Sequence, residues 1–552
     1  MQDKINDLLQ LPIERSLKKN IEIIEQIIEN NVDIVKREFV FHGPIDISGV
    51  VFYTDGLVNV QLIDSEILKP LMIYSSQIRE QDNTQVTHFL AENIKNHLIL
   101  NTAVKFVTKI SDALENILSG DTLVLLDFCD QGFIASTKGW DARSVGEAET
   151  ETVVRGPRDG FTESIRTNTA LVRRRIRDPY LRMEAMKIGE KSKTDVHIAY
   201  VKGIVKDGIV NEVRERLQKI KIDLVLESGY IEELIRDAPN SPFSTIQSTE
   251  RPDKVAAALY EGRVAIFVDN TPFVLLVPTF FWQYIQASDD YYSSFWTGSF
   301  FRLIRYIAFL ISLTLPSLYV LIVSFHQEMI PTTLALTIAA GRDVSPFPAL
   351  IEALVMEISF ELIREAGLRI PKPIGQTVSI IGSLVIGQAA VQAGFVSPSI
   401  LIIVAITGIS SFAIPNYATS FALRLVRFPL LIASGTLGLM GFGAVFVMIT
   451  IHVLSLRSFG EPYTAPLFPL KPSDQKDIII RAPWWKMQKR PQMVDDNPNR
   501  SESGIKPEPP KANSGESDTD KKSNDNKNND NNKNNQSNEK GRKVKQKRTW
   551  RK

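Results

Sequence analysis

Between Pro373 and Leu423 the chain runs for 51 consecutive residues without one Asp, Glu, Lys, Arg or His. An ordinary soluble domain carries a charge at roughly every fourth position, because its surface needs them. The window therefore excludes a fold that faces water throughout. Whole-chain averages conceal it: 64 Lys and Arg balance 63 Asp and Glu in 552 residues, and the mean hydropathy is -0.05. Three regimes are being averaged: a charged front, an apolar second half and a polar tail.

The length allows three or four units of about 150 residues each. The one cysteine, Cys129, excludes an internal disulfide framework or a multi-Cys metal site and suits a reducing compartment. Met1 to Asn20 mixes charges throughout and has no signal-peptide core, so no cleaved leader is expected there. A net charge of +1 argues against wholesale nucleic-acid binding.

Residues 1–37 read as a helical segment, with Ile5, Leu8 and Leu9 and later Ile21, Ile24, Ile27 and Ile28 at helical spacing. Residues 38–150 read as a first α/β subdomain. Strands are expected at 50–53, 57–62, 122–128 and 133–135, with helices at 85–93 and 103–117. Residues 151–190 form an Arg-rich connecting helix. Residues 191–285 form a second α/β subdomain: strand 196–201, a helix through Val210, Val213, Leu217 and Ile220, strand 222–226 as a βαβ-like unit, helix 253–260, and a closing hairpin 264–268/273–277.

Arg158, Arg173, Arg174, Arg175 and Arg177 cluster around the connecting helix. Guanidinium groups at this density suit an anionic contact, either lipid headgroups or a partner's carboxylates. The plainer reading is a solvated, salt-bridged interdomain helix.

Residues 286–460 are predicted to be a membrane domain of four to six segments. Tyr306 to Phe325 is long and apolar enough to cross a layer of about 30 Å, behind an aromatic lead-in at 291–296. Further spans are expected at 374–394, 398–415 and 428–456. Segment 347–363 differs, because it is apolar yet carries Glu352, Glu357 and Glu361. At 100° per residue Glu357 and Glu361 share a stripe and Glu352 lies about 140° from Glu357. Carboxylates at membrane depth cost about 2.5–3.5 kcal/mol each, so they should face a polar cavity, a pore or partner cations; the alternative is a helix lying in the interface with its acids in water.

Gln388 and Gln392, at i and i+4, either line the same pathway or bond neighbouring helices. Charge counting assigns the Arg364-Arg369-Lys372 and Arg424/Arg427 stretches to cytoplasmic loops, yet the basic stretch 461–493 also favours the cytoplasm. One element is then expected not to cross, either the Glu-bearing helix or a helix broken at the Gly435 to Gly443 cluster, with both termini inside. From 494 the Asn, Lys, Asp and Ser composition of the tail cannot bury enough apolar area to fold.

No phosphate loop, His-Glu-x-x-His zinc motif or nucleophile elbow occurs, and the histidines are dispersed. No enzyme, cofactor or metal centre is expected. A receptor, channel or transporter remains.

Four collinear stretches are similar to a known family. These are Phe128-Cys129-Asp130-Gln131-Gly132 through Arg143; Gly156 to Glu163 with Asn168 and Arg173 to Arg177; Met356 to Gly367; and Gly382 to Val391. Over about residues 35–490 the chain resembles the A-subunit family of bacterial spore germinant receptors. The resemblance implies a multi-pass protein of the spore inner membrane with its N-terminal domain on the cytoplasmic, spore-core side. It also implies as partners a transporter-like B subunit and a lipoprotein C subunit, and homo-oligomers around a pore for monovalent cations that opens on nutrient sensing. Glu352, Glu357 and Glu361 would then ring that pore, beside Gln388 and Gln392. A secondary transporter and a non-conducting scaffold or signalling subunit stay open.

The expected architecture is thus an α/β soluble N-terminal region of two subdomains, an α-helical polytopic membrane domain and a disordered C-terminal tail.

Overall fold

A computed structural model describes residues 2–29, 31–42, 46–73, 104–139, 146–369, 387–472, 474–490 and 500. The predicted helix 85–93, Arg143, most of the predicted span 374–394 and the tail from 494, Arg500 excepted, lie outside the described residues.

Helices α1 (Gln2–Leu9) and α2 (Leu17–Ile27) divide at Pro12, which bridges Lys109 instead of continuing the helix. Leu17, Ile24 and Ile27 pack α2 onto the first sheet. That sheet holds β1 (Ile34–His42), β2 (Asp46–Thr54), β3 (Val104–Val107), β4 (Thr122–Leu126) and β5 (Gly132–Ala135), in the order β1-β2-β4-β5-β3 with every pairing antiparallel. Helix α3 (Ile110–Leu118) covers one face. The predicted helix 103–117 thus begins as a strand. The predicted strand 57–62 is instead a turn leading into helix, because the Asn59 carboxamide accepts from the Gln61 and Leu62 amides and caps it.

Helix α4 (Ile165–Arg175) starts at Ser164, whose hydroxyl accepts from the Thr167 amide. The segment expected to be a connecting helix continues as a strand, β6 (Leu181–Ile188). It joins β7 (Thr194–Val201), β8 (Gln247–Thr249), β9 (Val264–Val268) and β10 (Val274–Val277) in the order β6-β7-β9-β10-β8, again antiparallel throughout. Helix α5 (Asp207–Gln218) buries Ile209, Val210, Val213 and Leu217, the face its periodicity announces. The expected βαβ unit is absent, since residues 222–226 run as loop beside the sheet and α6 (Ser228–Ile235) follows. Helix α7 (Pro252–Tyr260) precedes the β9–β10 hairpin, whose turn holds Asp269 and Asn270.

The two sheets are joined by buried arginines. Arg173 Nε and Nη2 donate to the two oxygens of Asp33 at 2.7 and 3.1 Å, and Arg182 Nη2 donates to the Ile27 carbonyl at 2.8 Å.

A helical bundle follows: α8 (Phe295–Phe325), α9 (Thr332–Arg342), α10 (Ala349–Arg369), α11 (Pro398–Phe412) and α12 (Tyr417–Ser455). Residues 387–392 are also helical. Two of these, α8 and α12, are long and apolar enough to cross a membrane. Helix α12 is broken at Gly438 (φ 62°, ψ -141°), inside the glycine cluster that the sequence offers as one of its two candidates for a non-crossing element. The chain reverses there: a Cβ on Gly441 would lie 2.2 Å from the Ala433 carbonyl oxygen. Leu423, Val426 and Leu430 share one apolar cluster with Phe442, Phe446, Ile449 and Val453.

What reads in sequence as one span over 428–456 is therefore two antiparallel arms, 417–437 and 439–455. Gly438 sits against Phe325 at the end of α8 distal to the sheets. His452 Nε2, in the returning arm, meets Ser241 Oγ at 2.9 Å on the α/β side. The following segment folds back onto the second sheet: Ser458 Oγ accepts from the Thr279 amide and donates to the Thr245 carbonyl.

Candidate functional site

Helix α10 carries the three glutamates singled out in the sequence, and the structure places each against arginines of the same chain. Leu350 packs on Gly435 at the distal end, and Arg364 Nη2 donates to Ser411 Oγ at the end of α11 near the sheets. Helix α10 thus descends towards the α/β region while the first arm of α12 rises away from it. Antiparallel helices pair ascending positions with descending ones. Glu357 meets Arg427 and Glu361 meets Arg424, spacings of four and three that match on facing helices.

At the distal end the Glu352 carboxylate accepts from Ser397 N (3.1 Å) and Oγ (2.8 Å), just before α11, with Arg342 Nε 3.6 Å away. Near mid-bundle Glu357 Oε2 takes Arg427 Nη1 at 2.6 Å, both side chains 2% exposed, and Arg427 Nη2 donates to Ser312 Oγ of α8 at 3.0 Å. Towards the sheets Glu361 lies 2.5 Å from Arg424 Nη1 and 3.7 Å from Arg364 Nη1. Glu365 pairs with Arg369 in the open.

Three carboxylates face four guanidinium groups, so the column is not a net source of negative charge. Pairing offsets the cost of burying each charge. Each glutamate keeps one oxygen, Oε1, without a hydrogen bond, as do Arg427 Nε and Ser317 Oγ; buried polar groups in this state call for water or an ion.

Gln388 and Gln392 are not part of the column. Both are exposed on helix 387–392, and among the described residues neither is hydrogen-bonded to another helix. Arg424, Arg427, Arg364 and Arg369, assigned from charge counting to loops, are all within helices.

The second predicted cluster divides. Arg173 is fully buried on Asp33 and is a structural link, closed to lipid or a partner. Arg175 Nη2 grips Asp159 at 2.5 and 2.7 Å. Arg158, near Glu147 at 3.6 Å, and Arg174 and Arg177 are exposed.

Sequence reasoning missed a second buried charge centre, where α8 leaves the α/β region. Arg302 is fully buried, donating to Asp290 Oδ2 at 3.1 Å and to Asp477 Oδ1 at 2.8 Å, and Arg305 also contacts Asp290. Burial, with the Asp477 charge and the hydrogen bond that the Tyr291 hydroxyl donates to Asp477 Oδ2 at 2.7 Å, pushes the Tyr291 pKa well above the ordinary tyrosine value. Asp477 lies far along the chain from Arg302, and an acid in a mixed-charge stretch gives no sequence signal of its partner.

The profile of the Bacillus/Clostridium GerA spore germination protein family matches residues 22–493. The chain belongs to this family. Spore germination protein KA of Bacillus subtilis (strain 168) is 43% identical over 498 residues, 90% of each chain. The uncharacterized membrane protein YfkQ of the same organism is 43% identical over 509 residues, 92% of this chain and 96% of its own. The crystal structure of the N-terminal domain of the A subunit of the Bacillus megaterium spore germinant receptor GerK3 is 37% identical, covering 49% of this chain and 98% of its own with a TM-score of 0.39.

Proposed function

We propose that this GerA-family chain is the A subunit of a nutrient-sensing spore germinant receptor. In this reading the bundle crosses the spore inner membrane and the α/β region lies on the cytoplasmic, core side. Further copies of the chain assemble with a transporter-like B subunit and a lipoprotein C subunit around a pathway for monovalent cations. The observation that carries the reading is family membership across residues 22–493, among relatives whose names are those of spore germination proteins. The apolar helix α8 and the first arm of α12, residues 417–437, have the length to cross a layer of about 30 Å.

Gln388 and Gln392, exposed on a largely apolar bundle, are the groups a neighbouring copy or a conducting lumen would meet. Glu357 and Glu361 enter the pathway when Arg427 and Arg424 release them, so the pairs hold the closed state. A second reading, a non-conducting signalling scaffold, draws on the same observation, since carboxylates neutralised within one protomer attract no cation.

The test is reconstitution with the B and C subunits in potassium-loaded liposomes. Nutrient-triggered efflux that is lost or altered in selectivity with Gln388→Ala/Gln392→Ala supports a channel. Normal complex assembly with no efflux above empty liposomes leaves the scaffold.

A further inference from the structure

A cleft of about 400 Å³ opens between the α/β region and the ends of α10, α11 and α12 that face it. Its basic lining comes from three separate elements, Arg251 and Lys254 at the start of α7, Arg364 of α10 and Arg424 of α12, with Glu151 as its one acidic residue. Two of these four basic charges are already matched. Lys254 Nζ lies 2.7 Å from Glu151 Oε1, and Arg251 Nη2 lies 2.7 Å from Asp253 Oδ2.

Arg364 and Arg424 are different, because both lean on the single carboxylate of Glu361. One positive charge is left over. Donors are left over as well: Arg251 Nε, Arg364 Nε and Arg424 Nη2 are buried without a hydrogen-bond partner, on side chains 2%, 9% and 7% exposed. Buried guanidinium N–H groups left unpaired are costly, and an acceptor anion removes that cost. The aromatic rings of Phe412 and Tyr417 lie over Arg364 and Arg424 at 4.5 and 5.8 Å and hold the two planes in place.

We propose that this cleft binds a phosphate group, held by Arg364 and Arg424 with Arg251 behind them. Planar guanidinium forks match the oxygens of a phosphate bidentately, and a phosphate offers two arginines more acceptor oxygens than one shared carboxylate does. The group is that of an anionic lipid headgroup or of a free phosphate compound. The site stands whether or not the assembly conducts, and only its lipid source rests on the membrane reading above. A phosphate there joins the α/β region to the helix that carries Glu357 and Glu361, so occupancy bears on how the two parts move together.

Binding of radiolabelled orthophosphate and of labelled phosphatidylglycerol is measured on the purified full-length chain in detergent. Saturable binding of either is expected, displaced by the other when both bind. Arg364→Gln should weaken it about tenfold or more, the loss of one charge-assisted donor set. Ser288→Glu places a carboxylate at the rim without touching a buried group and should weaken it similarly, whereas Ser288→Ala should not, so the proposal remains testable if Arg364→Gln fails to fold. Lipid binding without orthophosphate binding identifies a headgroup site. Absence of saturable binding of both probes, or wild-type affinity in Ser288→Glu, overturns the proposal.

Discussion

The Glu357–Arg427 pair concentrates the energetics of the bundle in two side chains. Both are almost inaccessible, and among the described residues the guanidinium's other side-chain hydrogen bond is to Ser312 Oγ. Removing one partner leaves a buried charge uncompensated, at a cost of about 3–5 kcal/mol. Glu357→Gln should therefore lower the thermal midpoint of the detergent-solubilised chain and its folded yield. The exchange Glu357→Arg with Arg427→Glu restores neutrality and should recover part of the loss. A Glu357→Gln protein that melts like wild type would show that the pair holds nothing together. The exchange also separates two duties of Glu357 within the channel reading: holding the closed state survives the swap, whereas offering a carboxylate to cations from position 357 does not.

At the scale of elements, Gly438 decides whether α12 is one helix or two. Its φ of 62° with ψ of -141° lies where a Cβ is not tolerated, and the added atom would also meet Phe325 at 3.1 Å. Gly438→Ala should cost about 1–3 kcal/mol, seen as a lower midpoint in denaturant unfolding. Gly443→Ala, with nothing within 4 Å of the new atom, should be close to neutral. Equal effects of the two would remove the reversal from the account.

The glycine cluster made this break legible in sequence; the extent of the helix was not. Arg424 and Arg427 look like the edge of a loop to any reasoning that cuts spans at charges, so the first arm was read as starting at Phe428. Their partners on α10 were already in view, and the matching spacings, four on one helix and three on the other, were the available signal. In the α/β region the β9–β10 hairpin was plain from two apolar runs around Asp269 and Asn270. Strand β6 was not, because Arg182, Glu184 and Lys187 disguise it as part of a charged helix, although alternation from Leu181 to Met183 marks a buried edge. Residues 222–226 are apolar enough for a strand, but Val225 is held by side chains, its carbonyl by Thr194 Oγ1 and its amide by Ser192 Oγ, and not by a ladder.

For the whole molecule, the arrangement has both ends of the bundle at the α/β region: α8 leaves it at Arg302 and α12 returns to it at His452. Single cysteines at Ser455 and Met440, in a Cys129→Ser background, should react with an impermeant maleimide from opposite faces of a sealed vesicle, with Ser455 on the face of the N-terminal domain. Labelling of both from one face would contradict the two-armed path.

The junction itself is held by Asp290 and Asp477 around Arg302, and their unequal duties predict unequal losses. Asp290 serves both Arg302 and Arg305 from within the segment leading into α8, and it is buried. Asp477 is partly exposed and reaches Arg302 from the returning chain, where the Tyr291 hydroxyl and the Gln286 carboxamide also fasten the segment. Among the described residues, Asp290→Asn leaves Asp477 as the one carboxylate on Arg302 and none on Arg305, so it should approach the cost of a broken buried pair, about 3–5 kcal/mol. Asp477→Asn retains the Asp290 contact and should cost about half as much or less. What it should change instead is attachment: the segment around 474–482 loses its charged anchor, and limited proteolysis there should accelerate before the global midpoint falls. A midpoint loss in Asp477→Asn equal to that in Asp290→Asn, with unchanged cleavage, would mean that Arg302 depends on both acids alike and that the returning segment is not separately fastened.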